Sequence, residues 1–286
     1  MTLPFLASFP RRVVVFNPTG RYAQAQVAAM RDAGTNLVAG IALGRGGTTL
    51  DGLPLYDDVR DLPEPADGVV IYTPPEGVLD AVRAAAGIQT LVVAAEYVPV
   101  HDALKAARAA RAAGSWLVGP NTLGLCIPGQ GLLGSIAPSF CTPGNVAVMC
   151  RSGTLTLTMA RLLTVAGIGQ RAVMHIGGDT IAGRNPHEWL AALAQDDATR
   201  AILYCGEIGG DKEYALADAI RACPKPVVTM LVGRHAPAGK RMGHAGALAG
   251  AERETAAAKL AALAEAGART AETPTAAIAI LKDLQA

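Results

Sequence analysis

At 286 residues with a net charge of +1, the chain has room for two domains of ordinary size and lacks the basic face that a nucleic-acid partner requires. Hydrophobic residues make up 51% and charged residues 17%, enough for a sizeable core, and 4% aromatic content excludes base-stacking platforms. The 32 glycines and abundant alanine point to tight βα turns and close helix–sheet packing, hence an α/β enzyme rather than a β-sandwich.

Residues 1–10 are apolar but short. They show no basic n-region and no A-x-A site, so no signal peptide is expected. The longest apolar runs, such as 91–95 and 227–232, are strand-sized and far below a membrane span. Cys126, Cys141, Cys150, Cys205 and Cys223 are scattered and form no C-x-x-C pair. Neither a zinc site nor a disulfide framework is supported, and a reducing cytoplasm fits this usage.

Arg11-Arg12 leads into Val13-Val14-Val15-Phe16, a buried-strand pattern. Asn17-Pro18-Thr19-Gly20-Arg21 reads as a turn, 24–33 as an Ala-rich helix stopped by Gly34, and 36–41 as the next strand. This is a βαβ unit, whose ligand site lies at the carboxyl ends of strands near a helix N-terminus. The turn is a candidate phosphate loop, but it lacks G-x-G-x-x-G, so a nicotinamide-dependent dehydrogenase is disfavoured. Leu43-Gly44-Arg45-Gly46-Gly47-Thr48 sets an arginine among glycines: either a second anion cradle or a flexible connection. Asp51-Gly52-Leu53-Pro54 continues as a turn. Strands are expected at 69–72, 91–95 and 116–118, with helices at 78–86 and 101–113.

Residues 119–124 close this first domain, and the Gly- and Pro-rich stretch 128–143 reads as an irregular connection. A second domain starts with a strand at 145–150, then Arg151-Ser152-Gly153-Thr154 and a helix at 155–166. Ser152 is placed to cap that helix, whose first-turn N–H groups would form an anion site. Strands follow at 173–176, 201–205 and 226–232, and helices at 185–195, 213–222 and 251–266. Glu207 is expected in a Gly-rich loop after its strand, either orienting an imidazole or simply solvated. In 239–246, Gly-Lys-Arg-Met-Gly-His-Ala-Gly, His244 sits between small residues just after two cations: a nucleophile, an acid/base, or part of a plain surface turn. In a parallel sheet, residues 152–154, Glu207 and His244 would converge on one edge.

Four motifs in order, Arg151-Ser152-Gly153-Thr154-Leu155-Thr156, I-G-G-D at 176–179, G-E-I-G-G at 206–210 and G-K-R-M-G-H-A-G at 239–246, carry a resemblance over nearly the whole chain. The sequence resembles the α subunits of succinate–CoA ligases and, more broadly, the NDP-forming acyl-CoA synthetases. G-R-G-G-T-T at 44–49 and G-L-P at 52–54 also match.

The resemblance implies an acid–thiol ligase with two α/β domains built on parallel sheets. These are a Rossmann-like CoA-binding domain at 1–126, a linker at 127–144, and a flavodoxin-like ligase domain at 145–286. It implies that His244 is transiently phosphorylated, that Glu207 orients it, and that Ser152, Gly153 and Thr154 hold the phosphate. Asn17, Thr19, Gly20, Arg21, Arg45, Tyr72 and Glu96 are implied at the CoA site, and Asn121 and Thr122 near the acid. Coenzyme A is the implied substrate. ATP or GTP with Mg²⁺ would be held mainly by a β partner with an ATP-grasp domain, in an αβ or α2β2 assembly. No metal site is expected in this chain, and neither nucleic acid nor membrane among its partners.

Two loops depart from the family's pattern. F-T-G-S-Q-G is here Phe16-Asn17-Pro18-Thr19-Gly20-Arg21, and G-P-N-C-P-G is here Gly119-Pro120-Asn121-Thr122-Leu123-Gly124. Arg45 stands for the family's loop lysine. The altered loops leave room for malate or another acid in place of succinate. A non-catalytic CoA-binding regulatory module is the remaining alternative, against which the intact Ser152, Glu207 and His244 argue.

Overall fold

The computed structural model describes residues 3–236, 248 and 250–284. The stretch 239–246, with His244, lies outside the described residues.

A short helix α1 (Pro4–Ala7) precedes β1 (Val13–Phe16), whose four residues are all buried. Then come α2 (Arg21–Asp32), β2 (Leu37–Ile41), β3 (Thr49–Leu50) and β4 (Leu53–Tyr56). The first half is completed by β5 (Gly68–Ile71), α3 (Val78–Ala84), β6 (Thr90–Val93), α4 (Val100–Ala112) and β7 (Trp116–Val118). The sheet order is β3-β4-β2-β1-β5-β6-β7, parallel except where β3 turns back on β4. Counting the parallel strands alone gives the doubly wound order 3-2-1-4-5-6, which reverses at β1. Asn17 therefore sits where the crevice opens.

The Asp51-Gly52 turn is more than a turn. Asp51 (φ 47°) and Gly52 (φ 77°) are both left-handed, the backbone a two-residue hairpin demands, and they join β3 to β4.

The second half runs β8 (Gly124–Ile127), β9 (Gly131–Gly134), β10 (Pro143–Cys150), α5 (Gly153–Val165), β11 (Gln170–His175), α6 (Pro186–Leu193), β12 (Ala201–Glu207) and α7 (Lys212–Arg221). It ends with β13 (Val227–Val232), α8 (Ala256–Glu265), β14 (Arg269–Ala271) and α9 (Pro274–Asp283). The order is β14-β13-β12-β10-β11-β8-β9. Its parallel part is the 2-1-3-4-5 order of flavodoxin-like folds, reversing at β10.

The stretch 127–144, expected as an irregular connection, instead carries β9 and the start of β10. β8 and β9 pair antiparallel, and β8 lies antiparallel on β11. Close backbone approach explains the glycines there: a Cβ on Gly124 would stand 1.8 Å from the Leu133 carbonyl oxygen. Both sheets are thus mostly parallel with antiparallel edges.

One hydrophobic core joins the halves. Trp116 of β7 and Trp189 of α6 meet edge to face at 5.1 Å, and Phe5 of α1 lies 6.0 Å from Trp189. The Arg184 guanidinium stacks over Trp116 at 4.9 Å. Such aromatic pairs add about 0.5–1.5 kcal/mol each beyond area burial.

Candidate functional site

The first half presents its polar residues at the carboxyl end of β1. Asn17 adopts φ 54°, which asparagine tolerates better than most residues, and its amide donates to the Tyr72 carbonyl at 3.4 Å. Pro18 is buried and its ring packs on Gly40, where a Cβ would come within 2.6 Å of it. Gly20 is the N-cap of α2, and Gln24 ties the turn by donating to the Thr19 carbonyl at 2.7 Å. Arg21 stands exposed at the first helical position.

The Arg45 loop is held by Asp57, which accepts from the Arg45 and Gly46 N–H groups at 3.0 and 2.9 Å. Those bonds, Gly46 first, hold the Asp57 carboxyl below its usual range. Burial pushes the Tyr72 phenol well above its usual value, and the Tyr22 ring meets it edge-on at 5.8 Å.

Three cavities with shared walls follow this edge. The first, about 600 Å³, is lined by Asn17, Thr19, Arg45 and Asp57. The second, about 270 Å³, has Gly20, Tyr72 and Glu96, and shares Asn17, Thr73 and Pro74 with the first. The third, about 990 Å³, shares Tyr22, Ala94 and Glu96 with the second and reaches Asn121, Thr122, Gly153 and Thr154. The three form one run from the Arg45 loop past the N-terminus of α5 and along that helix. Arg21 and Ser152 line none of them.

At the far end, Ser152 caps α5, its hydroxyl accepting from Leu155 N–H at 3.5 Å. The Thr122 hydroxyl donates to the His175 carbonyl and accepts from Gly124 N–H at 2.8 Å. The Asn121 amide donates to Asp179 at 3.1 Å. The sequence reading gave no role to His175, although it fastens this corner. Leu123 N–H donates to its Nδ1 at 2.9 Å, so Nε2 carries the proton and donates to the Arg151 carbonyl at 3.0 Å. The apolar strand pattern hid it: His175 reads as the polar end of a buried strand.

Glu207 requires a correction. It is the last residue of β12, not a loop residue, and it is 3% exposed, so the solvated-acid alternative is ruled out. Arg151, the residue after neighbouring β10, pairs with it at 3.1 Å, both side chains almost wholly buried. Burial alone would lower the Arg151 pKa; Glu207, then Tyr204, Glu213 and Asp179, outweigh it and raise it. The sequence motif contained Arg151 but offered no sign of its partner, because the pairing depends on the order of β10 and β12. Glu207 also lies in register with Val232 of β13, from which the chain departs toward 239–246.

Comparison with known proteins agrees with this layout. Residues 12–97 match the family described as CoA binding domain, and residues 149–269 match CoA-ligase. The α 2 subunit of ADP-forming succinate–CoA ligase from Archaeoglobus fulgidus is 43% identical over 267 residues, 92% of this chain and 93% of that protein. The ADP-forming sulfoacetate-CoA ligase subunit SauD from Bilophila wadsworthia is 37% identical over 96% of each chain. Among solved structures, ATP citrate lyase from Methanothrix soehngenii in complex with citrate and coenzyme A superposes with a TM-score of 0.85 at 25% identity. That match covers 96% of this chain, which spans about half (49%) of the lyase chain. With a CoA binding domain match in the first half, a CoA-ligase match in the second, and relatives at 37–43% identity over more than nine-tenths of the chain, the chain belongs to the CoA-ligase family that includes the α subunits of ADP-forming succinate–CoA ligase.

Proposed function

We propose that this chain is the α subunit of an NDP-forming carboxylate–CoA ligase that joins succinate or a related small acid to coenzyme A through a phosphohistidine at His244. The run of three cavities that reaches the N-terminus of α5 and continues along that helix is the observation that carries this reading. It gives a long, bent ligand such as CoA a path from the Arg45 loop, where the Arg45 guanidinium rather than the Asp57-bound backbone amides would meet a phosphate, to the start of α5.

The chemistry then proceeds in three displacements. The His244 imidazole nitrogen attacks the nucleotide's γ-phosphorus, and the NDP leaves. A carboxylate oxygen of the acid attacks that phosphorus, the P–N bond breaks, and an acyl phosphate forms. The CoA thiolate attacks the acyl carbon and inorganic phosphate departs. The helix N-terminal amides at Ser152, Gly153 and Thr154 offset the phosphate's charge without a hydration shell. Glu207, anchored by Arg151, orients the imidazole and stabilises its cationic character. A β partner with an ATP-grasp site and Mg²⁺ supplies the nucleotide in this reading, with cytoplasmic location. We also place the domain boundary ahead of β8, since β8 and β9 belong to the second sheet.

The acid contacts the third cavity. The Asn121 amide N–H and the Thr122 hydroxyl are engaged by the protein, and the same cavity is lined by Leu123 and Leu157 together with Thr154, Thr158 and Arg161, which could meet a carboxylate. The test is acyl-CoA formation by the chain co-purified with its β partner, assayed with succinate, malate and sulfoacetate. Nucleotide-dependent thioester with at least one small acid is expected; none with any acid, despite CoA binding, contradicts the proposal.

A further inference from the structure

Among the described residues, the most deeply buried cation of the second half takes no part in the steps above. Lys259 lies on α8 and is fully buried. Its ammonium donates to Glu213 Oε2 at 2.6 Å, to the Gly209 carbonyl at 2.6 Å and to the Glu207 carbonyl at 3.1 Å. All three of its donors are therefore used. The other Glu213 oxygen accepts from the Tyr204 hydroxyl at 2.7 Å, and both of those residues are fully buried.

Two of the three acceptors are backbone carbonyls of the turn that begins at Glu207. The approach to α8 grips the same turn: Gly209 N–H donates to the Glu254 carbonyl at 2.9 Å. The Glu254 carboxylate in turn accepts from Gly250 and Ala251 N–H at 2.6 and 3.0 Å, tying down the chain as it returns from 239–246. A buried Lys–Glu pair gains little net stability, because desolvation rivals the attraction. Its geometric effect is larger: one side chain links the Glu207 turn to the helix that follows the histidine stretch.

We propose that Lys259 is a positioning residue for Glu207, fastening the backbone of the 207–209 turn to α8 so that the carboxylate stands correctly toward His244. This rests on the roles of Glu207 and His244 given above. The test compares wild type, Lys259→Met, Glu213→Gln and the double variant, each with the co-purified β partner. It reads the single-turnover rate of phosphate transfer from γ-labelled ATP with Mg²⁺, the KM for CoA, and urea unfolding.

Lys259→Met is expected to slow transfer by about tenfold to a hundredfold, as small misplacements do, with the KM for CoA unchanged to within about twofold. Glu213→Gln leaves Lys259 on both carbonyls and keeps the rate. The double variant regains stability, having no unpaired buried carboxylate, yet stays slow. Recovery of rate together with stability in the double variant would mean that Lys259 only neutralises Glu213, and would overturn the proposal. So would a wild-type rate in Lys259→Met, or a slow Glu213→Gln. If wild type itself takes no label at His244, the underlying reading has failed, and that is seen before any variant is compared.

Discussion

At the scale of single residues, buried charge sets the largest sensitivities. Replacing Arg151 with Met leaves the Glu207 carboxylate buried without its cation, 3.1 Å away in the native protein. Breaking a pair of this kind costs about 3–5 kcal/mol, and urea unfolding of Arg151→Met should show a loss of that order. Lys212 gives a pH signature. Its ammonium donates to the Thr180 carbonyl at 2.6 Å, while burial, then the Arg151 guanidinium, pushes its pKa down from 10.5 to about 8. The unfolded chain therefore binds more protons than the folded one between these values, so this residue's contribution rises with pH through that window. Relative to Lys212→Met, wild type should gain up to about 1.4 kcal/mol per pH unit from pH 8 toward 10. A difference that is flat or falls with pH would contradict the burial assigned to Lys212.

At the scale of elements, two short segments carry the expected effects. Ser152→Ala removes the hydroxyl that caps α5 and should cost about 1 kcal/mol in unfolding free energy. Gly40 in β2 touches the loop that follows β1: a Cβ there would stand 2.6 Å from both Pro18 and Leu55. Gly40→Ala should displace the 17–21 turn and weaken CoA binding by calorimetry, while the KM for the acid stays near wild type.

How far these elements were legible depended on local pattern. Val13-Val14-Val15-Phe16 and residues 227–232 are apolar enough to be strands in any context, and both are. The Ser152 cap followed from its position ahead of an apolar helical run. The β8–β9 hairpin was not legible, because glycines needed for backbone contact with a neighbouring strand look like loop glycines. β12 runs on through Gly206 and Glu207 because Arg151, just beyond the neighbouring strand, satisfies the carboxylate, and that neighbour is set only by tertiary order. Lys259, in an Ala- and Leu-rich helix, reads as a solvated lysine until Glu213 is brought beside it.

At the scale of the molecule, the continuous core predicts coupled behaviour. Trp116 and Trp189 belong to different sheets' layers and pack on each other, while Arg171 pairs with Asp196 at 2.9 Å and donates to the Leu6 carbonyl at 3.0 Å. The two halves should therefore unfold in one calorimetric transition, and Trp189→Ala, at about 3–5 kcal/mol, should lower it as a whole. Two separated transitions in the wild-type chain would show that the halves are independent.

The same joining brings the groove proposed for CoA and the helix end proposed for the phosphate into one run of cavities. The claim that depends on all of these is covalent transfer through His244. It is tested most directly by incubating the chain and its β partner with Mg²⁺ and γ-labelled ATP, then mapping the label. Acid-labile, alkali-stable label on His244, absent from His244→Asn and discharged by acid plus CoA, is the expected result. Equal labelling of His244→Asn, or label that the carboxylic acid substrate and CoA together do not discharge, would contradict it.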